Sequence, residues 1–147
     1  MSLSVEKNNN FITIYTDASV RPHIKRTQVA WKGRCSFGLI EGIKILEFDR
    51  CVAKAEMHAI YYAIEDAVKK YPSLEGLFIN SDNLECVQAF WTFRNQVPHK
   101  NLRKVHCDIL ALAAGRWIRT KHVKAHTGGQ DIRSYMNRTV DRLTRTN

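Results

Sequence analysis

FITIYTDAS, residues 11–19, is the stretch around which the rest of the chain is organised. It is rich in β-branched and aromatic residues, which favours a strand inside a sheet, and it stops on a carboxylate, Asp17. An acid that ends such a strand lies at the rim of the sheet, beside the place where open α/β folds bind ligands. One carboxylate alone indicates little, so its meaning depends on whether other acids reach the same rim.

Strands and helices then follow one another in a pattern typical of a mixed sheet. A β-rich stretch at about residues 29–49 has Gly42 as the expected turn of a hairpin, so the first three strands are predicted to be antiparallel. Helical spacing over about residues 53–71 comes next. LFINSD, residues 77–82, predicts a fourth strand, which ends on a second acid, Asp82.

The remaining pattern completes an α/β fold. Helices are predicted at about residues 83–93 and 101–115, a last strand at about 117–125, and a final helix from about residue 134. This order predicts a five-stranded mixed sheet, three antiparallel strands followed by two parallel ones, flanked by helices.

Size and composition suit one soluble domain. The chain has 147 residues, 44% of them hydrophobic, so we expect a single domain over residues 11–147 and an unstructured or tag-like stretch over residues 1–10. No apolar run approaches a bilayer span and no secretory signal opens the chain, so a cytoplasmic protein without a membrane partner is expected. The cysteines lack the paired spacing of zinc sites, and we interpret them as reduced, mostly buried thiols: Cys35, Cys51, Cys86 and Cys107.

The formal net charge is +9, and most of it lies in the last third of the chain. Residues 100–147 hold 11 Lys or Arg against 3 Asp, whereas the first 99 residues are nearly neutral. Such a basic region suits nucleic acid, because cations that neutralise phosphates release condensed counterions. The alternative is a solvated surface that only aids solubility. The candidates for phosphate contact are Lys100, Arg103, Lys104, Arg116, Arg119, Lys121 and Lys124.

Three acids are expected to meet at one edge of the sheet. A helical crossover makes strands one and four parallel neighbours, so Asp17 and Asp82 leave the sheet side by side. Glu56 lies four residues before Ile60, on the apolar face of its helix, and therefore points towards the sheet. Carboxylates this close repel one another, so a multivalent cation would stabilise them, and oxygen-only ligands select Mg²⁺ or Mn²⁺.

Each of these acids also has a structural explanation. Asp is common in turns, which would account for Asp17, and Asp82 directly before a helix suits an N-cap. Glu56 in the first turn of a helix is favoured by the helix dipole. The functional interpretation therefore rests on all three acids being placed at one rim.

In this order the motifs resemble the type 1 ribonuclease H family, whose members cut the RNA strand of RNA–DNA hybrids. The matching pieces are YTDAS around Asp17, KAEMHAIYYAIEDA around Glu56, INSDN around Asp82, and HVKAHTGG followed by NRTVDRL. The resemblance covers roughly residues 11–145. No single motif is decisive, but the ordered set is specific.

The resemblance implies a metal site and a mechanism. The metal-binding acids would be Asp17, Glu56, Asp82 and Asp141, bridging two Mg²⁺ or Mn²⁺ ions to the scissile phosphate and leaving products with a 5′ phosphate. His126 matches the mobile histidine of the family and would assist proton transfer or product release. The implied partner is an RNA–DNA hybrid, with a monomer as the default state. The implied substrate contacts are Ala18, Ser19, Asn83, Lys124 and Asn137.

The chain departs from the family pattern at places that concern the substrate. The family has Gly directly after the first acid, where this chain has Ala18. Asparagines that read 2′ hydroxyls are common in the family before the second acid, where this chain has CVAKA, residues 51–55. Only 34 residues separate Asp82 from Trp117, so we expect a form without the basic protrusion. Two alternatives stay open: a DNA nuclease or resolvase on the same fold, and a nucleic-acid-binding module without activity.

Overall fold

The computed structural model of the chain describes residues 10–91 and 100–124. These residues form five strands and three α-helices, and a short 3₁₀ turn, Pro22–Ile24, joins the first two strands. In chain order the elements are β1 (Phe11–Arg21), β2 (Arg26–Cys35), β3 (Gly38–Leu46), α1 (Val52–Lys70), β4 (Gly76–Ser81), α2 (Leu84–Gln88), α3 (Arg103–Ala113) and β5 (Trp117–His122). The final helix predicted from about residue 134 lies outside the described residues.

The strands form one mixed sheet in the order β3-β2-β1-β4-β5. β1, β2 and β3 are antiparallel to one another, while β4 runs parallel to β1 and β5 runs parallel to β4. The predicted α/β architecture, three antiparallel strands followed by two parallel ones, is confirmed. β1 is the central strand, because it pairs with both halves of the sheet.

Alternation along β1 and helical spacing along α1 build the core between them. Ile12 and Ile14 of β1 are fully buried, and they share one hydrophobic cluster with the stripe Ile60, Ala63, Ile64 and Ala67 of α1. Because these four positions recur at three- and four-residue intervals, one face of the helix covers the sheet. Neither α1 nor any other helix in the described part of the chain is long and apolar enough to cross a membrane.

The hairpin between β2 and β3 turns at residues 36–37, so the prediction of a turn at Gly42 is wrong. Cys35 pairs with Gly38, which has φ of 148° in the region that favours glycine. Gly42 lies inside β3, opposite Trp31, and a Cβ atom there would collide with the indole ring. This glycine is therefore needed for cross-strand packing.

β1 also extends further than predicted. It does not stop at Asp17 but continues to Arg21, because β2 still pairs with it there. On the other side, the pairing with β4 ends at Tyr15 and Asn80. Asp17 is therefore still paired with β2, but it lies beyond the end of the ladder between β1 and β4.

The cysteines in the described residues are free thiols, but the expectation that most are buried is wrong. Cys86 is buried, Cys107 is exposed, and Cys35 and Cys51 are half-buried. Cys107 lies in α3, whose outer face meets solvent.

Candidate metal centre

The structure brings Asp17, Glu56 and Asp82 together. Each offers a carboxylate oxygen, and these atoms all lie within 4.8 Å of one another. Asp17 and Glu56 are buried, with 2% and 3% exposure, while Asp82 is half-buried and opens the cluster to solvent. Three carboxylates without a nitrogen or sulfur ligand form a donor set that suits a hard divalent cation such as Mg²⁺ or Mn²⁺.

The register of two parallel strands places two of the acids. Tyr15 of β1 and Asn80 of β4 form the last pair of their ladder. Asp17 and Asp82 each lie two residues beyond that pair, Asp17 still within β1 and Asp82 directly after the end of β4. Since parallel strands carry their carboxyl ends to the same edge, both carboxylates reach one rim.

A single backbone amide links the strand to the helix at this site. The Ala18 N–H donates to Asp17 Oδ1 at 2.9 Å and to Glu56 Oε1 at 3.1 Å. The Ala18 methyl group is packed in the hydrophobic core. The residue after the first acid thus supports two of the carboxylates with its main chain, and its side chain is enclosed within the protein.

The structure does not agree with the explanations of the three acids as a turn residue, a helix-dipole partner and an N-cap. Asp17 is paired with Ala30 inside a strand rather than placed in a turn. Glu56 is the fifth residue of α1, whose first turn contains no acid, so the helix dipole does not account for it. The N-cap of α2 is Asn83, whose Oδ1 accepts the N–H of Cys86 at 3.0 Å, so Asp82 is not used as a cap.

The turn that carries Asp82 is held on both sides and from the neighbouring strand. Ser81 Oγ accepts the N–H of Asn83 at 3.2 Å. His122, the last residue of β5, places its Nε2 atom 3.1 Å from the main-chain carbonyl of Asp82. Sequence reasoning missed His122, because the last strand was predicted to run to about residue 125 and the observed strand ends at His122.

Cys86 lies beside the acids without offering them a thiolate. Its Sγ donates to the carbonyl of Ala53 at 3.2 Å. Burial raises the pKa of the Cys86 thiol, and the negative charge of Glu56 raises this pKa further. The thiol therefore stays protonated near neutral pH, whereas the thiolate is the form that binds metals.

The other predicted site residues are distributed as follows. Ser19 is half-buried in β1, two residues past the first acid. Lys124 is exposed, two residues past β5. Three predicted residues lie outside the described ranges: His126, Asn137 and Asp141.

Arg116, one of the candidates for phosphate contact, is engaged within the protein instead. Its guanidinium donates to the carbonyls of Leu74 and Pro72, both at 2.7 Å, and to that of Ala113 at 3.0 Å. These carbonyls follow α1 and end α3, so the arginine ties two helix ends together.

Comparison with known proteins gives structural neighbours only. No family model and no curated protein matches the chain. RNase H1 from the halophilic archaeon Halobacterium salinarum NRC-1 is 18% identical, covers 89% of this chain and 98% of its own, and superposes with a TM-score of 0.72. The N-terminal RNase H domain of a Mycobacterium tuberculosis protein is 18% identical, with 92% and 97% coverage and a TM-score of 0.73.

A third neighbour was solved with a nucleic acid. LC11-RNase H1 in complex with an RNA/DNA hybrid is 16% identical, with 90% and 99% coverage and a TM-score of 0.73. These alignments span nearly the whole of each neighbour, and they agree with the strand order and mixed pairing described above. The chain has a ribonuclease H-like fold.

Proposed function

We propose that the protein is a metal-dependent endonuclease that hydrolyses the RNA strand of RNA–DNA hybrids and leaves 5′-phosphate ends. One observation carries the proposal: Asp17, Glu56 and Asp82 place carboxylate oxygens within 4.8 Å of one another at the rim of a ribonuclease H-like sheet. The neighbour bound to an RNA/DNA hybrid supports the substrate class.

The acids are proposed to hold two Mg²⁺ or Mn²⁺ ions, with Asp141 as a fourth ligand. When bound, such a pair of ions supplies activation of a water molecule and stabilisation of the leaving 3′ oxygen. The residues of the chain prepare the site: the Ala18 N–H fixes the carboxylates of Asp17 and Glu56 relative to each other. His126 is proposed to move a proton near the scissile phosphate, a role that suits an imidazole.

Charge and exposure around the rim support binding of a nucleic acid. The chain carries a net charge of +9, and Lys124 is exposed two residues after β5, whose end lies beside Asp82. Neutralisation of phosphates by such cations makes affinity fall steeply with salt. The proposed contacts to the substrate are Ser19, Asn83, Lys124 and Asn137. Ala18, the other expected contact, is 4% exposed with its methyl group in the core, so it is not proposed to touch the substrate.

A DNA nuclease is the second candidate, and one observation favours it. A protein tells RNA from DNA at a given site through the 2′ hydroxyl, which polar side chains can contact. At the start of α1, the N-cap Cys51 makes no side-chain capping bond, and the next residue, Val52, is apolar and 53% exposed. Neither offers an amide group for this purpose.

The test compares three substrates of one sequence, an RNA–DNA hybrid, duplex DNA and single-stranded RNA, over a series of Mg²⁺ and Mn²⁺ concentrations. We expect cleavage of the hybrid alone, at internal positions. Asp82→Asn should abolish cleavage while hybrid binding survives. Asp108→Asn is the matched control, because it makes the same chemical change at an ion-paired acid on α3.

Each opposing outcome assigns a different function. Efficient cutting of duplex DNA with the hybrid left intact would replace the proposal with the DNA nuclease. Salt-sensitive binding of the hybrid without cleavage in any metal would identify a binding module instead.

A further inference from the structure

The last residue of β5 contacts the residue that carries the third acid. His122 pairs with Ser81 in the parallel ladder of β5 and β4, and its ring reaches past that pair to Asp82. The distance from His122 Nε2 to the Asp82 carbonyl oxygen is 3.1 Å. Because a carbonyl oxygen only accepts, Nε2 carries the hydrogen and donates it.

Asp82 lies directly after the last residue of β4, where the hydrogen bonding of the sheet ends. β4 stops at Ser81, and the bond from the Val123 N–H to the Ser81 carbonyl, 3.0 Å long, extends the ladder one step beyond β5. Asn83, the residue after Asp82, is the N-cap of α2. The bond from His122 therefore supports the one residue between the strand and the cap.

β5 also contacts the helix that follows this turn. Thr120 Oγ1 donates to the carbonyl of Val87 in α2 at 2.7 Å. Thr120 and His122 are two residues apart, so they leave β5 on the same side, and together they tie α2 and Asp82 to one strand. The two bonds differ in what they hold, since Val87 belongs to a helix and Asp82 belongs to the acid cluster.

We propose that His122 is a positioning residue: its bond to the main chain of Asp82 sets where that carboxylate meets those of Asp17 and Glu56. The inference deepens the proposed function and rests on its metal site. It assigns His122 no contact with substrate and no step in the reaction.

The test measures Mn²⁺ binding to the full chain by isothermal titration calorimetry, without nucleic acid. His122→Ala should weaken Mn²⁺ binding about three- to tenfold, the range expected when one hydrogen bond of ordinary net strength is lost. His122→Gln should restore affinity to within about twofold, because its amide can donate in place of Nε2. Thermal unfolding in EDTA is measured for each variant.

Two controls separate positioning from general stability. Thr120→Val removes the bond to Val87 and should lower the melting temperature while leaving the Mn²⁺ affinity near that of the wild type. His106→Ala removes a histidine whose ring centroid lies 4.8 Å from that of Phe90. It should also lower the melting temperature and leave the Mn²⁺ affinity near that of the wild type.

The outcomes are distinct. Equal Mn²⁺ affinity of His122→Ala and the wild type overturns the inference, as does a loss that His122→Gln leaves unrestored. A wild-type chain that binds no Mn²⁺ overturns the inference together with the metal site. A wild type whose Mn²⁺ binding depends on His122, but which leaves the hybrid uncut, supports the inference and refutes the proposed function.

Discussion

Removal of one charge from the acid cluster should stabilise the metal-free protein while it destroys activity. The variant is Glu56→Gln, at the buried acid of α1. Gln keeps an oxygen to accept the 3.1 Å bond from the Ala18 N–H, and its size is nearly the same. The substitution therefore changes mainly the charge.

The expected gain follows from the separation of the acids. Two like charges repel by about 3.5 kcal/mol at 4.8 Å, the upper limit of the separations here, at an effective dielectric constant of about 20, and Glu56 faces two such neighbours. Solvent reaches the half-buried Asp82, and cations from the buffer screen the cluster, so we expect a net gain of about 1–2 kcal/mol. For a chain of this size that corresponds to an increase in Tm of about 3–6 °C.

The assay is thermal unfolding at pH 7.5, first in EDTA and then across a Mg²⁺ series. In EDTA the variant should melt above the wild type. With rising Mg²⁺ the wild type should gain more stability than the variant, because an ion that binds only the folded state stabilises it by mass action. Cleavage of the hybrid should be lost. A variant that melts below the wild type in EDTA would show that the carboxylates do not repel one another, and the electrostatic reasoning for a cation site would fail.

Two further predictions concern residues away from the acids. Arg116→Ala removes the hydrogen bonds to the carbonyls of Pro72, Leu74 and Ala113, and chemical denaturation should show a loss of about 2–4 kcal/mol in the free energy of unfolding. Arg116→Lys should recover only part of this loss. A loss below about 0.5 kcal/mol for Arg116→Ala would contradict the assigned role. Burial lowers the pKa of His58 below its ordinary value of 6.5. As the pH falls below 6.5, the unfolded chain therefore binds a proton at His58 before the folded chain does. The free energy of unfolding, unaffected by His58 above that pH, decreases as the pH falls further. His58→Gln should flatten the fall between pH 7 and 5 in EDTA melts, and an unchanged slope would argue against this titration.

Much of the fold could be predicted because its signals are local. The alternation of β1 and the helical stripe of α1 are periodic, and the order of strands and helices restricts the topology to a few choices. Asp17, Glu56 and Asp82 were found in the sequence because two of them follow apolar strands and the third lies on the inner face of a helix. The prediction of a turn at Gly42 was wrong for a physical reason: in a sequence, a glycine that packs under the ring of Trp31 looks the same as a glycine in a turn.

The contacts that could not be predicted join residues distant in sequence. His122 reaches Asp82 across 40 positions, and Arg116 reaches Pro72 across 44. Both depend on the exact alignment of neighbouring elements, which periodicity does not determine. The basic stretch around Arg116 therefore predicts a phosphate contact, whereas its guanidinium donates to three main-chain carbonyls.

The ladder between β1 and β4 explains how chains of very different sequence can form this architecture. Asp17 and Asp82 are aligned by main-chain hydrogen bonds counted from the pair Tyr15 and Asn80, and almost any residue can supply a main-chain bond. Substitutions along both strands can accumulate as long as the inward and outward alternation is kept. A chain can then share this sheet with proteins to which it is only 16–18% identical, although no family model and no curated protein matches its sequence.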